Sequence, residues 1–212
     1  MVKIKICGIT CAQDATWAAN LGADFIGLNF YKDSPRKVSP QNALEILKEI
    51  PPFVTSVGVF VNEDTKNLAK LVKKMNLTLV QLHGEETVEY CQQLKEAIPG
   101  IKIIKAFRIK DETVLETMKA YLEIADYFLL DAYVEDVAGG TGATFNWDLA
   151  VKAKELGKPV FLAGGLTPDN VQEAVDKVKP FAADVASGIE RSPKRKDYDK
   201  MKDFINKAKS RI

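Results

Sequence analysis

The chain has 212 residues, of which 46% are hydrophobic, and its 30 basic and 29 acidic side chains leave a net charge of +1. This length and composition predict one globular domain, residues 1–212, with a substantial buried core. The balanced charge argues against a nucleic-acid-binding protein, which would carry a clear basic excess.

The amino terminus and the cysteines predict a cytoplasmic protein that is not attached to a membrane. The chain begins Met-Val-Lys-Ile-Lys-Ile, without the long apolar segment of a secretion signal, and no apolar stretch approaches the length of a membrane span. The number of cysteines is odd, which argues against a disulfide framework and favours free thiols in a reducing compartment; they are Cys7, Cys11 and Cys91. Because His83 is the only histidine, no metal site is predicted.

Short β-rich runs alternate with amphipathic, helix-like stretches from one end of the sequence to the other. In chain order the predicted strands are Val2–Ile6, Phe25–Phe30, Val54–Val61, Leu77–Leu82, Ile101–Ala106, Tyr127–Leu130, Val160–Ala163 and Asp184–Ala186. The predicted helices are Asp14–Leu21, Pro40–Ile50, Thr65–Met75, Glu86–Ile98, Glu112–Leu122, Asp148–Leu156, Pro168–Val178 and Tyr198–Ala208. Two helices are expected to begin at a cap residue followed by proline, at Ser39-Pro40 and Thr167-Pro168.

The strand runs are rich in Val, Ile and Leu with little alternation, which is typical of parallel strands buried on both faces. Eight strand–helix units that close on themselves predict an α/β protein, a single (β/α)8 TIM barrel of parallel strands. An open doubly wound sheet is the alternative, but it needs a topological reversal and usually has fewer strands. In a barrel the ligand binds at the carboxyl ends of the strands, so residues that end strands are the candidates for function.

Two small-residue turns follow the predicted strands seven and eight, within Leu162-Ala163-Gly164-Gly165-Leu166 and Val185-Ala186-Ser187-Gly188-Ile189. Each turn precedes a helix-like segment and leaves backbone N–H groups unshielded by side chains. Two such turns on adjacent units form a nest for a phosphate dianion. The sequence therefore predicts that Gly164, Gly165, Ser187 and Gly188 bind the phosphate of a small ligand.

Cys7 and Asp131 are candidates for chemistry because they end the first and the sixth predicted strands. The small Gly8 leaves the sulfur of Cys7 open to the barrel mouth, where a thiolate acts as a nucleophile or a base. The alternative is a small buried hydrophobe. An unpaired carboxylate beside an apolar run is costly, so Asp131 is expected to face the mouth or to stay protonated. Helix capping or loop bracing is its alternative role.

Other polar residues near strand ends are candidate ligand contacts. Arg36, in the loop after strand two, is either a clamp for a carboxylate or a surface arginine. Gln81 and His83 end strand four, and His83 either binds the substrate or has a structural role. Asp184, in strand eight, either reaches the ligand or pairs with a neighbour such as Lys105 near the end of strand five.

The loop that follows Asp131 is long for a compact barrel. It runs from Ala132 to Asn146 and contains Gly139-Gly140-Thr141-Gly142. Loops of this length usually serve a function, so a lid over the site is the hypothesis here.

These segments together resemble the phosphoribosylanthranilate isomerase family of tryptophan biosynthesis. The resemblance covers nearly the whole chain in order, at Lys5-Ile6-Cys7-Gly8-Ile9-Thr10, Asp14-Ala15, Leu21-Gly22-Ala23-Asp24, Ser34-Pro35-Arg36, Gly58-Val59-Phe60-Val61-Asn62, Val80-Gln81-Leu82-His83-Gly84, Leu130-Asp131, Gly139-Gly140-Thr141-Gly142, Ala163-Gly164-Gly165-Leu166 and Ser187-Gly188-Ile189-Glu190. Three positions depart from the family pattern. Ala186 occupies a position where the family has serine, Asn146 one where it has aspartate, and Lys194 one where it often has glycine.

The resemblance implies an Amadori rearrangement of N-(5-phosphoribosyl)anthranilate to an aminodeoxyribulose 5-phosphate. By this resemblance Cys7 is the general base at ribose C2, and Asp131 is the general acid that protonates the ring oxygen. Arg36 holds the anthranilate carboxylate, and the two turns hold the phosphate. The reaction implied needs no metal and no organic cofactor, and the chain is expected to work as a monomer or a homodimer.

Two other functions stay open from the residues. Another phosphate-binding barrel enzyme, such as a sugar-phosphate epimerase or an indole-forming synthase, would show a metal-ligand set or a lysine acid–base pair at the strand ends. Only Lys105 offers such a lysine. A non-catalytic phospho-ligand-binding barrel would not need both Cys7 and Asp131 at the rim.

Overall fold

The computed structural model describes residues 1–132 and 147–210, and within them eight parallel strands close into a barrel in chain order. The strands are β1 Lys3–Cys7, β2 Phe25–Asn29, β3 Thr55–Phe60, β4 Leu79–Leu82, β5 Lys102–Ile109, β6 Tyr127–Ala132, β7 Val160–Leu162 and β8 Ala182–Val185. The helices between and after them are α1 Ala12–Asn20, α2 Pro40–Lys48, α3 Thr65–Met75, α4 Val88–Ala97, α5 Thr113–Lys119, α6 Trp147–Lys154, α7 Val171–Val178 and α8 Tyr198–Lys209. The predicted (β/α)8 barrel is confirmed, and the doubly wound sheet is excluded by the pairing of β8 with β1.

One of the two predicted helix caps is confirmed in full and the other in part. The Ser39 side chain accepts a hydrogen bond from the backbone N–H of Asn42 at the start of α2. The Thr167 hydroxyl also accepts from a backbone N–H, that of Asp169 at 3.2 Å, but residues 168–170 form a turn and α7 begins only at Val171. Asn170 Oδ1 accepts from the Thr167 N–H at 2.8 Å, and its Nδ2 donates to the Gly165 carbonyl at 3.0 Å.

Lys105 was expected near the end of strand five, but β5 continues to Ile109. Its side chain is buried and donates to Glu86 Oε2 at 3.0 Å and to the Gly84 carbonyl at 2.7 Å. The predicted helix from Glu86 is correspondingly shorter at its start: α4 begins at Val88 behind the Thr87 cap, and Glu86 points inward to this ion pair.

The barrel interior is apolar at the amino-terminal end and polar at the other. At the amino-terminal end, aromatic rings pack edge-on or tilted against one another, and they belong to Phe25, Tyr127, Phe161 and Phe181. Higher in the barrel the buried side chains are polar, and they include Lys5, Gln81, Lys105 and Asp184. This division directs chemistry to the carboxyl ends of the strands. None of the described helices is long and apolar enough to cross a membrane.

A short 3₁₀ turn and a two-stranded hairpin follow β8, and only the turn had a counterpart in the sequence prediction. The 3₁₀ turn is Ser187–Ile189, and the antiparallel strands are β9 Glu190–Ser192 and β10 Arg195–Lys196. Lys194 has a φ of 72° at the turn between them, which explains why glycine is favoured at this position. The hairpin brings Glu190 and Lys196 beside the barrel mouth.

Candidate active site

Every residue predicted for the site lines one cavity of about 480 Å³ at the carboxyl ends of the strands. The lining includes Cys7, Arg36, Gln81, His83, Asp131, Gly164, Gly165, Asp184, Ser187 and Gly188. Residues that the sequence analysis did not select for the site also line it, among them Tyr31, Asp33 and Arg108. Residues 133–146 of the predicted lid lie outside the described residues.

The two glycine turns lie against each other at one side of the cavity. Gly164 and Gly165 have φ values of 81° and 67°, a region that side chains with a Cβ rarely adopt. Gly188 packs so tightly on the backbone carbonyl of Leu166 that a Cβ would overlap the oxygen. Small residues are therefore required in both turns, and their backbones face the cavity without intervening side chains.

Cys7 lies at the end of β1, half-buried, with the side chains of Lys5 and Asp184 nearby. Burial raises the pKa of the Cys7 thiol, while the positive charge of Lys5 opposes that rise. Asp184 pairs with Lys5 at 3.0 Å, so its partner is this lysine rather than Lys105. The sulfur thus borders a buried ion pair.

Asp131 belongs to a chain of polar contacts that starts on β4. Gln81 Nε2 lies 2.7 Å from His83 Nδ1, and His83 Nε2 lies 3.1 Å from Asp131 Oδ2. With the Gln81 amide donating, the Nδ1 atom accepts, and the Nε2–H donates to Oδ2 of Asp131, which leaves Oδ1 available to carry the proton of an acid. This arrangement gives His83 the role of orienting Asp131, whose side chain stays 30% exposed to the cavity.

Arg36 is held in place by Glu190 from the hairpin. Its Nε and Nη2 donate to the two carboxylate oxygens of Glu190 at 2.7 and 2.8 Å, a bidentate pair. Lys196 Nζ donates to Glu190 Oε1 at 3.1 Å and to the Ala186 carbonyl at 2.8 Å. Burial alone would favour protonation, but the hydrogen bonds from Arg36 and Lys196 lower the pKa of Glu190.

The structure adds Lys5, Glu190 and Lys196 to the residues that sequence reasoning had selected. The sequence held a signal for Lys5: it lies two residues before Cys7 on the same strand, and residues at that spacing share a face. The sequence held no signal for the pairing of Glu190 with Arg36 and Lys196, because it depends on a hairpin that brings Arg36 and Glu190, 154 positions apart, into contact.

Comparison with known proteins gives one consistent result. The model of the N-(5'-phosphoribosyl)anthranilate isomerase family matches residues 4–207. The isomerase of Geobacter metallireducens is 49% identical over 210 residues, covering 99% of this chain and 100% of that protein. The isomerase of Trichlorobacter lovleyi is 46% identical over 216 residues, covering 100% of each.

Solved structures agree with the sequence relatives. The crystal structure of phosphoribosyl anthranilate isomerase from Thermotoga maritima superposes with a TM-score of 0.90 at 43% identity, covering 99% of each chain. A crystal structure of a phosphoribosyl anthranilate isomerase in complex with reduced 1-(o-carboxyphenylamino)-1-deoxyribulose 5-phosphate gives a TM-score of 0.87 at 41% identity and the same coverage. The chain belongs to the phosphoribosylanthranilate isomerase family.

Proposed function

We propose that this protein catalyses the Amadori rearrangement of N-(5-phosphoribosyl)anthranilate to 1-(2-carboxyphenylamino)-1-deoxyribulose 5-phosphate, a step of tryptophan biosynthesis, without a metal or organic cofactor. The observation that carries the proposal is the single cavity in which Cys7, Asp131 and both glycine turns meet. Family membership over residues 4–207 supports it, as does the 41% identical relative that was crystallised with a reduced product analogue.

In this mechanism Asp131 and Cys7 divide the proton transfers. Asp131 protonates the furanose ring oxygen while the C1–O bond breaks and the anthranilate nitrogen lone pair forms a Schiff base. The Cys7 thiolate then removes the proton from C2, and the C–H electrons move into the C1–C2 bond and neutralise the nitrogen. The resulting enol tautomerises to the ketone. The two groups lie on β1 and β6, which are not neighbours in the ring of strands, so they approach the sugar from different directions.

The two ends of the substrate have separate anchors in this proposal. Backbone N–H groups of Gly164, Gly165, Ser187 and Gly188 bind the phosphate. Arg36 binds the anthranilate carboxylate, and its guanidinium has more N–H donors than the two that Glu190 occupies. Gln81 and His83 contribute through the orientation of Asp131, and Asp184 contributes through Lys5.

Arg36→Ala is expected to raise KM by about tenfold or more, with a smaller effect on kcat. The reason is that the charged hydrogen bonds from Arg36 to the substrate carboxylate are lost in both the ground state and the transition state. Steady-state kinetics measures both constants. Arg191→Ala is the matched control, since this arginine is exposed on β9 next to Glu190. An Arg36→Ala enzyme with the wild-type KM would contradict the carboxylate assignment.

The alternative functions have weaker support among the described residues. A lysine acid–base mechanism would need an available ammonium at the site, but those of Lys5 and Lys105 are buried and paired with Asp184 and Glu86. A binding barrel without catalysis would leave the orientation of Asp131 by His83 without a purpose.

A genetic experiment tests the proposed function in the cell. The gene is introduced into a bacterial strain that lacks its own phosphoribosylanthranilate isomerase and therefore needs tryptophan. We expect growth without tryptophan for the wild-type protein and none for Cys7→Ser at equal expression. No rescue by a folded, expressed wild-type protein would argue against the proposed reaction.

We also infer that the chain forms a homodimer in the cytoplasm. A structure that is 40% identical, with a TM-score of 0.87, concerns a dimeric phosphoribosylanthranilate isomerase from Thermotoga maritima. Sedimentation equilibrium is expected to give twice the 23.5 kDa of one chain. The mass of a single chain would contradict the inference.

A further inference from the structure

A buried ammonium lies directly beneath the sulfur of Cys7. Lys5 and Cys7 are two residues apart on β1, so both side chains point to the barrel interior. Lys5 is completely buried, whereas Cys7 reaches the cavity. The lysine therefore cannot bind solvent, and its charge must be balanced by groups inside the barrel.

Two neighbouring strands shape the space around this pair. On one side β8 places Asp184 in register with Lys5, and Lys5 Nζ donates to Asp184 Oδ1 at 3.0 Å. On the other side β2 places Gly27 in register with Cys7. A Cβ at Gly27 would lie 2.9 Å from Cys7 Sγ and 3.2 Å from Lys5 Nζ, so the absent side chain leaves room for both groups at one point.

Stability does not account for this ion pair. Removing two charges from water is costly, and a buried pair contributes little compared with apolar residues of similar size. Apolar side chains, such as Val57, Leu79 and Phe161, form a buried cluster in the barrel interior. A lysine and an aspartate beside the sulfur therefore point to an electrostatic role in the site.

We propose that Lys5 is a positioning residue for the reaction: its ammonium stabilises the thiolate of Cys7, the form that takes the proton from C2, and Asp184 keeps Lys5 charged and in place. This inference rests on the proposed role of Cys7 as the base. It supplies the activating group that no residue adjacent to Cys7 in the sequence provides.

The charges around the sulfur are consistent with this role. Burial raises the pKa of Cys7; the positive charge of Lys5 lowers it, the negative charge of Asp184 raises it, and the positive charge of Lys196 lowers it. Arg36 also interacts electrostatically with Cys7.

Lys5 itself remains charged. Burial alone would lower its pKa, but the attraction of Asp184 and Cys7 outweighs burial and raises it. His83 and Asp131 are the other charged or titratable groups that act on Asp184.

Lys5→Met is the direct test, because methionine keeps much of the side-chain length and removes the charge. The pH dependence of Cys7 alkylation by iodoacetamide is followed by mass spectrometry of the Cys7 peptide, which separates it from Cys11 and Cys91. We expect the midpoint to rise by about one pH unit or more, as for the loss of an opposite charge in contact. The kcat at neutral pH is expected to fall while KM changes little.

Asp184→Asn tests the second part of the proposal. Without this carboxylate, burial is expected to remove the charge of Lys5, so the alkylation midpoint is expected to rise, as it does for Lys5→Met. A pair that serves only stability would leave the midpoint unchanged. The double variant Lys5→Met/Asp184→Asn leaves no unpaired buried charge and tests the proposal if Lys5→Met alone fails to fold. Its midpoint is expected to lie above that of the wild type, because Lys5 affects the sulfur more strongly than Asp184.

An unchanged midpoint in folded Lys5→Met, or in the double variant, would overturn the proposal. A fall of the midpoint in folded Asp184→Asn would contradict the role of Asp184 in keeping Lys5 charged. These readouts do not depend on turnover: normal turnover by Cys7→Ser would refute the assigned base, while the alkylation midpoints would still report the effect of Lys5 on the sulfur.

Discussion

Cys7→Ser is expected to lower kcat by about 10²–10⁴-fold, while KM stays within a few-fold of the wild-type value. Serine retains the shape of the side chain at the end of β1, but its hydroxyl does not ionise near neutral pH and cannot accept the C2 proton. The substrate anchors, Arg36 and the two glycine turns, are untouched. Steady-state kinetics and a binding measurement with a non-reactive product analogue separate the two effects.

Cys11→Ser provides the matched control for this change. Cys11 is also half-buried, but it lies at the start of α1 and does not line the cavity. Its replacement is expected to leave kcat and KM unchanged. If Cys7→Ser turned over substrate at a near-normal rate, Cys7 would lose its role as the base.

Asp131→Asn is the second change with a large expected effect, a fall in kcat of about 10²–10⁴-fold with little change in substrate binding. The amide cannot deliver a proton to the ring oxygen. Its own oxygen can still accept the hydrogen bond from His83 Nε2–H, so the position of the side chain is kept. The defect is therefore expected in the chemical step, and it is measured as kcat at saturating substrate concentration.

Asp126→Asn, just before the other end of β6, is the control for Asp131. Asp126 accepts a hydrogen bond from the Ile103 N–H at 2.9 Å and pairs with Lys95 at 3.0 Å, far from the cavity lining. Its replacement is expected to lower the melting temperature and to leave kcat unchanged. A fall in kcat for Asp126→Asn as large as that for Asp131→Asn would show that the assay reports loss of folding rather than loss of an acid.

Much of the fold could be predicted from the sequence because it depends on local signals. Unbroken runs of β-branched and aliphatic residues indicated parallel buried strands, and their regular spacing indicated the barrel. The Ser39 cap was predicted correctly, since its hydrogen bond is formed within α2. The start of α7 was predicted three residues too early: the Thr167 hydroxyl caps a turn, which the Asn170 side chain also bonds, and the α-helix begins after that turn.

The positions of the site could also be predicted, whereas its pairings could not. The carboxyl ends of all the strands lie at the same end of a barrel, so residues that end strands, such as Cys7 and Asp131, could be expected to line one cavity. The partner of Asp184 was wrongly offered as Lys105, because sequence gives no register between β8 and β1. Lys5 and Asp184 are 179 positions apart, and only closure of the barrel brings them together.

The rearrangement of N-(5-phosphoribosyl)anthranilate by the purified protein is the central claim, and a fluorescence assay measures it directly. Freshly made substrate is mixed with the wild-type enzyme, and the anthranilate fluorescence is followed with time. We predict a loss of fluorescence at a rate proportional to enzyme concentration, and a rate about 10²–10⁴-fold lower with Cys7→Ser or Asp131→Asn. An unchanged signal with the folded wild-type enzyme would contradict the account.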